Sequence, residues 1–413
     1  MGTGREESRG ALQQVAEREV AGRAGGRVRR PAGPTEVDIA YIRPAPSGGT
    51  PVVVIPGGPG LASAVPYRAF RRRATRLGLD VVMMEHRGIG LSRRDTAGAD
   101  LPVEEVTVGA VVDDLAAVLD DAGIERAVIY GCSYGTCLAQ VFGVRHPRRV
   151  AGMVLDSPML DQAGDLAATR EYRRELLWHG PGPVAQAVRA LLDAELVPVH
   201  ELGNVVQIVY EFAGATALER LLRARLAGHG TRVWRRIVGL GADEVAGPGQ
   251  RYVVEPDLVA GITHGELGGS HAPDGLPLDP QSMFVRDDVP PFRGEPEYLP
   301  AALPGFTWPT AVISGDRDLR APRPVAQRIA DLIPDAVQVP LTDTGHSALD
   351  THRLAALAVA RLVRDGRHRE IPGRAAQIAN LPRRGASRLL GTAIRAGITV
   401  DFALPRSRGN EFV

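Results

Sequence analysis

A chain of 413 residues with 44% hydrophobic and 23% charged residues is long enough for one large domain carrying an insertion, and too apolar to be disordered throughout. Forty-nine basic against 48 acidic residues leave a net charge of +1, which gives no footing for nucleic acid as the main ligand. Every basic residue is an arginine, so chemistry that needs a lysine, such as a Schiff base or a P-loop, is excluded.

Residues 1–35 are polar and lack the apolar run of about 7–15 residues that a secretion leader needs. They are expected to form a disordered N-terminal segment, and the expected compartment is the cytoplasm. No stretch approaches the roughly 18 uncharged apolar residues of a membrane span, so no membrane partner is expected. From residue 36 onward the pattern becomes readable. Val37–Ile42 alternates like an edge or antiparallel strand, and Pro51–Pro56 is a short apolar run ending in Gly57-Gly58-Pro59-Gly60. A helix over about Tyr67 to Leu77 and an apolar strand over 80–84 follow. Val108, Val111, Val112, Leu115, Val118 and Leu119 recur at helical spacing. Arg126–Tyr130 reads as a strand, Tyr134–His146 as a helix and Gly152–Asp156 as a strand.

This alternation is the signature of an α/β fold with a mostly parallel sheet and helices on both faces. It stops after Pro158, turns helical and arginine-rich, and resumes at Thr310–Ser314. A helix over about 322–332, a strand over Ala336–Leu341 and a helix over Ala348–Arg364 complete it. The expected organisation is a core in two parts, 36–158 and 303–365, interrupted by a mainly helical cap over 159–302. Residues 366–413 hold nine arginines against three acids and are expected to be a loosely attached tail with one amphipathic helix near Ser387–Ile398.

Gly131-Cys132-Ser133-Tyr134-Gly135 is the one Gly-x-Ser-x-Gly in the chain. It lies between a predicted strand and a predicted helix, the context of a nucleophile elbow. So sharp a turn strains the serine and demands small residues two before and two after it. Ser133 is therefore the candidate nucleophile. Cys132 and Cys137 have no metal-ligand spacing around them and are expected as small buried hydrophobes.

A serine needs a base, and the base an orienting acid, which in this architecture come later in the chain with the acid first. His346 sits in the turn Thr342–Ser347 past the strand 336–341 and is the expected base; His352 falls in a predicted helix and His368 in the tail. The loop Ser314–Pro322 offers two acids, Asp316 and Asp318, while Asp343 reads as a turn residue. The oxyanion hole is expected from the backbone N–H of Tyr134 and from the Gly-rich loop, with Gly58 first and Gly57 in reserve. That loop lacks both Gly-x-Gly-x-x-Gly and a Lys-Ser/Thr ending, so it does not read as a phosphate cradle.

These residues resemble the α/β-hydrolase superfamily and, within it, the prolyl and tripeptidyl aminopeptidases. The likeness rests on Pro56–Gly60, Glu85-His86-Arg87-Gly88-Ile89-Gly90-Leu91-Ser92, Gly131–Thr136, His146-Pro147, Val154–Asp156, Gly315–Asp318 with Pro322, and Gly345–Ser347. It spans about 36–158 and 303–364. The family pattern Gly-x-x-Asp-x-x-x-Pro puts the acid on Asp318. Pro56 in place of the prolyl enzymes' histidine, and Glu85-His86 in place of Asp-Gln, are departures. In the family, glutamates of the cap grip the substrate's free amine; Glu171, Glu175, Glu195, Glu201 and Glu211, among others, are available here, and none aligns to that role. Trp178, Trp234 and Tyr172 are read as packing within the cap rather than as an acyl pocket.

The expectation is a serine hydrolase using Ser133, His346 and Asp318, with Gly58 and Tyr134 as oxyanion donors and no metal or organic cofactor. A short peptide or amino-acid amide is the expected substrate, an ester, lactone or thioester the alternative. A hydrolase-fold receptor with negligible turnover is a third reading, disfavoured by a complete set of catalytic residue types.

Overall fold

The structure, a computed structural model, describes residues 2–46, 48–240, 249–269, 271–283, 289–383 and 386–403. Eight strands form one sheet: β1 (Gly25–Ala32), β2 (Thr35–Ile42), β3 (Val52–Ile55), β4 (Val81–Met84), β5 (Ala127–Cys132), β6 (Val150–Asp156), β7 (Thr310–Gly315) and β8 (Ala336–Leu341). Their order across the sheet is β1-β2-β4-β3-β5-β6-β7-β8. The strands from β4 to β8 pair in parallel, and β1 and β2 add two antiparallel strands at one edge.

The apolar runs become central strands because both faces are covered, so no position can be polar without a partner. Every residue of β3, β4, β5 and β7 is buried. Alternate residues serve opposite faces. Val53, Ile55, Val82 and Ile129 pack with α3 (Val108–Asp121) and α4 (Tyr134–Arg145), whereas Val52, Val54, Val81 and Val128 pack with α2 (Arg68–Arg76) and the helix Arg353–Arg364. The sequence-predicted helix over 348–364 is two helices, Ala348–Thr351 and Arg353–Arg364, broken at His352 (φ −142°, ψ 56°).

The expected disorder of residues 1–35 is corrected. Gly2–Ala21 is helix α1, and β1 pairs with β2 along its whole length through a turn at Gly33. Composition hides both elements because each buries only a narrow face. Ala16 and Val20 of α1 pack on Ala40, Ile42 and Ala64, and β1 is an edge strand whose Arg27 and Arg29 point outward while Arg30 reaches the buried Asp114 at 3.1 Å. Arg29 grips Asp38 at 2.9 and 3.2 Å across the pair. With β1 outside it, β2 is an internal strand and not the edge.

Between β6 and β7 the chain leaves the sheet and forms α5 (Gln162–Arg174), α6 (Pro183–Asp193), α7 (Val199–Ala213), α8 (Ala215–Leu226) and α9 (Thr231–Val238). These helices close an apolar core of their own, which includes Leu191, Val205, Leu221 and Trp234. Leu319, from the loop after β7, is inserted in it. Among the described residues, no helix is long and apolar enough to cross a membrane.

The tail is also corrected. Ile371–Ala379 and Ala386–Ala403 are helices, and the second docks on the cap instead of hanging loose. Its Ile394 and Ile398 enter the cap core, and Asp401 accepts the Arg232 and Val233 N–H groups at 3.0 Å, capping the start of α9. The amphipathic face was legible; its partner was not, since it lies about 170 residues back in the chain. Residues 384–385 and 404–413 lie outside the described residues. Ile398→Ala is expected to cost about 2–5 kcal/mol through the cavity it leaves. The measurement is the thermal midpoint, and an unchanged midpoint would mean that the helix does not dock in solution.

Candidate active site

Three loops at the C-terminal ends of the parallel strands meet over the sheet. Ser133 follows β5 with φ 50° and ψ −121°, a strained conformation for a residue with a side chain, and α4 starts at the next residue. The flanking glycines are required by close approach. A Cβ at Gly131 would sit 2.2 Å from the Gly135 carbonyl oxygen, and one at Gly135 would sit 2.3 Å from that of Ile55. The Ser133 N–H donates to the Asp156 carbonyl at 2.8 Å, which fastens the turn to β6.

The residues expected to work together are brought together. Ser133 Oγ lies 2.9 Å from His346 Nε2, and His346 Nδ1 lies 3.0 and 3.1 Å from the two oxygens of Asp318. Asp318 also accepts the Arg320 and Ala321 N–H groups, each at 2.9 Å. Its burial favours the neutral acid, but the charge and hydrogen bond of His346, with the Ala321 N–H and the Ser157 side chain, outweigh that and hold the carboxyl below its ordinary range. With an ionised acid on Nδ1, the imidazole carries its proton there, and Nε2 is free to accept from the serine hydroxyl. Burial also pulls the His346 pKa down; the Asp318 charge and hydrogen bond more than offset this and raise it above 6.5.

The other candidates are placed elsewhere. Asp316 accepts the Thr344 N–H at 3.2 Å and ties two loops together. Asp343 is exposed and paired with Arg317. His352 bonds the Ala379 carbonyl at 2.9 Å, and His368 bonds Asp335 at 2.9 Å. Cys132 and Cys137 are buried, which pushes the Cys137 thiol up to about 12 and that of Cys132 well above its usual value. Neither is a poised thiolate.

Gly58 (φ 125°) and Tyr134 line the same cavity as Ser133, and among the described residues their backbone N–H groups have no partner. A Cβ on Gly57 would stand 3.2 Å from that of Ser133, so a side chain there would crowd the hydroxyl. His86, in the segment that departs from the family pattern, is buried beneath. Burial brings its pKa down to about 4, so the ring is neutral; Nδ1 donates to the Arg87 carbonyl at 2.5 Å, and Nε2 accepts from the Tyr134 hydroxyl at 3.0 Å. It holds Tyr134, one of the two expected oxyanion donors, by its hydroxyl.

Two residues that sequence reasoning passed over anchor the histidine loop. Asp156, at the end of β6, accepts the Ala348 and Leu349 N–H groups at 2.9 and 2.8 Å and the Tyr130 hydroxyl at 2.8 Å. Burial pushes its carboxyl up to about 6. Ser157 Oγ accepts the Ser347 N–H at 2.9 Å. A lone acid closing an apolar strand was the available signal for Asp156.

The cavity over Ser133 measures about 390 Å³ and runs between core and cap. Pro158, Leu166, Ile208, Leu267 and Val325 give it an apolar wall, with Asp165, Gln207 and Arg320 among its polar residues. Of the five cap glutamates singled out in the sequence, Glu171, Glu175 and Glu195 are exposed, and Glu201 accepts the Trp234 indole N–H at 3.0 Å. Only Glu211 comes close. It is buried, accepts the Leu319 N–H at 3.3 Å and pairs with Arg320 at 3.0 Å. Trp178, Trp234 and Tyr172 pack within the cap core.

A parallel sheet with a serine-bearing turn after its central strand and a helical excursion after β6 defines an α/β-hydrolase fold. Residues 50–180 match the family model described as the alpha/beta hydrolase fold. A probable proline iminopeptidase of Leptolyngbya boryana is 22% identical over 321 residues, 77% of this chain and 88% of that relative. One from Streptomyces coelicolor is 25% identical over 318 residues, 75% and 86% of the two chains. Among solved structures, the proline iminopeptidase of Mycobacterium smegmatis is 20% identical, with a TM-score of 0.48 over 84% of this chain and 99% of that one. By its curated relatives the chain is similar to proline iminopeptidases, and its sheet and the family match give the fold that the sequence led us to expect.

Proposed function

We propose that the chain is a serine hydrolase that works through an acyl-enzyme. Ser133 Oγ attacks a carbonyl carbon while His346 Nε2 takes its proton, and Asp318 holds the imidazolium that forms. The N–H groups of Gly58 and Tyr134 receive the charge that develops on the carbonyl oxygen. His346 then gives its proton to the leaving group and activates the water that releases the acyl group. The observation that carries this reading is the continuous hydrogen-bond chain from Ser133 Oγ through His346 to Asp318, at 2.9 and 3.0 Å.

The substrate in this reading is a short peptide or amino-acid amide cleaved from its free amino end. The proline iminopeptidase relatives support it, as does Asp165. This cavity-lining carboxyl, which accepts the Leu160 N–H at 2.6 Å and meets the half-exposed Arg328 at a longer 3.4 Å, is pushed by burial up to about 7 and would be drawn into its charged form by an ammonium group. A specific observation favours the ester or lactone alternative: Glu211, the one of the five named glutamates that comes near the cavity, is already paired with Arg320.

The deciding measurement compares kcat/KM for prolyl and alanyl anilides, the same anilides with a blocked amine, and simple acyl esters. An advantage of the free amine by more than about 100-fold, roughly 2.7 kcal/mol, is expected. Turnover of esters alongside equal, poor rates on free and blocked anilides would replace the peptidase reading with the esterase one.

A further inference from the structure

The cavity wall beside His346 carries an arginine that the mechanism does not use. Arg320 lines the cavity together with Ser133 and His346 and is the one arginine among the described lining residues. Its backbone is pinned by the bond from its N–H to Asp318. On one side its guanidinium is held by Glu211, at 3.0 Å; the Glu211 side chain is 1% exposed, while that of Arg320 keeps 43% of its surface open. The head group is therefore tethered at the cavity wall by an ion pair but not used up. A guanidinium has five donors in a planar fork that matches a carboxylate, and Glu211 leaves part of that fork for a ligand.

Its position says which part of a substrate it would meet. His346 passes its proton to the leaving group, so side chains flanking the imidazole on the cavity wall lie along the leaving group and not along the acyl chain. The charge of Arg320 also makes His346 harder to protonate. A permanent cation beside the base opposes the imidazolium, unless the substrate brings an anion that neutralises it. Gln207 adds a second donor to this cavity. Its Oε1 already accepts from the buried Arg173 at 3.1 Å, so what it offers the cavity is its NH₂ group.

We propose that Arg320 is a carboxylate-binding residue on the leaving-group side, which selects short peptides whose free C-terminal carboxylate lies close to the cleaved bond. This rests on the serine-hydrolase reading and deepens it: the favoured substrates are dipeptide-like, held at both ends, rather than the amino termini of long chains.

The test uses the full chain carrying Ser133→Ala, so that binding is read without turnover, with alanylglycine and alanylglycinamide as probes in titration calorimetry. The two differ only in the carboxylate. Alanylglycine is expected to bind about 10–100-fold more tightly, as for a charge-assisted hydrogen bond. Adding Arg320→Met is expected to erase that preference. Because this change strands Glu211 in a buried place, Glu211→Gln with Arg320→Met is measured alongside it, and Arg320→Lys is expected to keep part of the preference. Equal binding of the two probes, no measurable binding of either, or a preference that survives in the double variant would overturn the proposal. Failure of the underlying reading is seen separately, as absence of covalent labelling of Ser133 by a fluorophosphonate in the unaltered protein.

Discussion

Ser133→Ala is expected to lower turnover by roughly 10³–10⁶-fold with the fold intact, because serine, histidine and acid act as one unit. The size follows from what is lost: without the hydroxyl no acyl-enzyme forms, and only binding and the oxyanion donors remain. The fold is spared because the Oγ makes its one described hydrogen bond to His346, at the wall of an open cavity, so its removal strands no buried polar atom. Steady-state rates, stoichiometric fluorophosphonate labelling of the unaltered protein and its absence in the variant, and matching circular dichroism check the three parts. Near-normal turnover in the alanine variant would end the serine-hydrolase reading.

Asp318→Asn is expected to cost about 10⁴-fold in kcat, the size of effect seen when the acid of a Ser-His-Asp set loses its charge. Asparagine presents an NH₂ donor where His346 Nδ1 needs an acceptor, which favours the tautomer that blocks Nε2. It also weakens the seat for the Arg320 and Ala321 N–H groups, both at 2.9 Å from Asp318 Oδ1. The pH dependence gives a separate check. The base must be neutral to act, so activity is lost as pH falls through the pKa of His346, which Asp318 raises above 6.5 against the effect of burial. Losing that negative charge lowers the histidine's pKa, and the acid limb of kcat/KM moves to lower pH in the variant. A limb that moves upward, or a variant that keeps its full rate, would remove Asp318 from the role assigned to it.

Much of the core was legible because its signals are local. β3, β4, β5 and β7 are buried on both faces, so their apolar runs needed no knowledge of their neighbours. Ser133 was legible because the turn that carries it needs glycine at 131 and 135, where the nearest backbone oxygens would stand 2.2 and 2.3 Å from any Cβ. His346 could be found because a turn follows the last strand. The N-terminal helix and β1 were missed for the converse reason: an edge element buries half its surface, and Ala16 and Val20 are too sparse a stripe to announce it. The docking of Ala386–Ala403 was missed because its apolar face is completed by residues of the cap.

The sequence by itself determined the central strands, the serine turn, and the order in which acid and histidine follow it. Each depends on backbone sterics and on solvent exclusion within a few residues. Only the tertiary structure decided that Asp316 ties the two loops together beside Asp318, that Asp156 anchors the histidine loop, and that Glu211 of the cap meets Arg320 at the cavity wall. Those choices are made by contacts between distant segments, where burial makes each charge depend on a partner that no local pattern names.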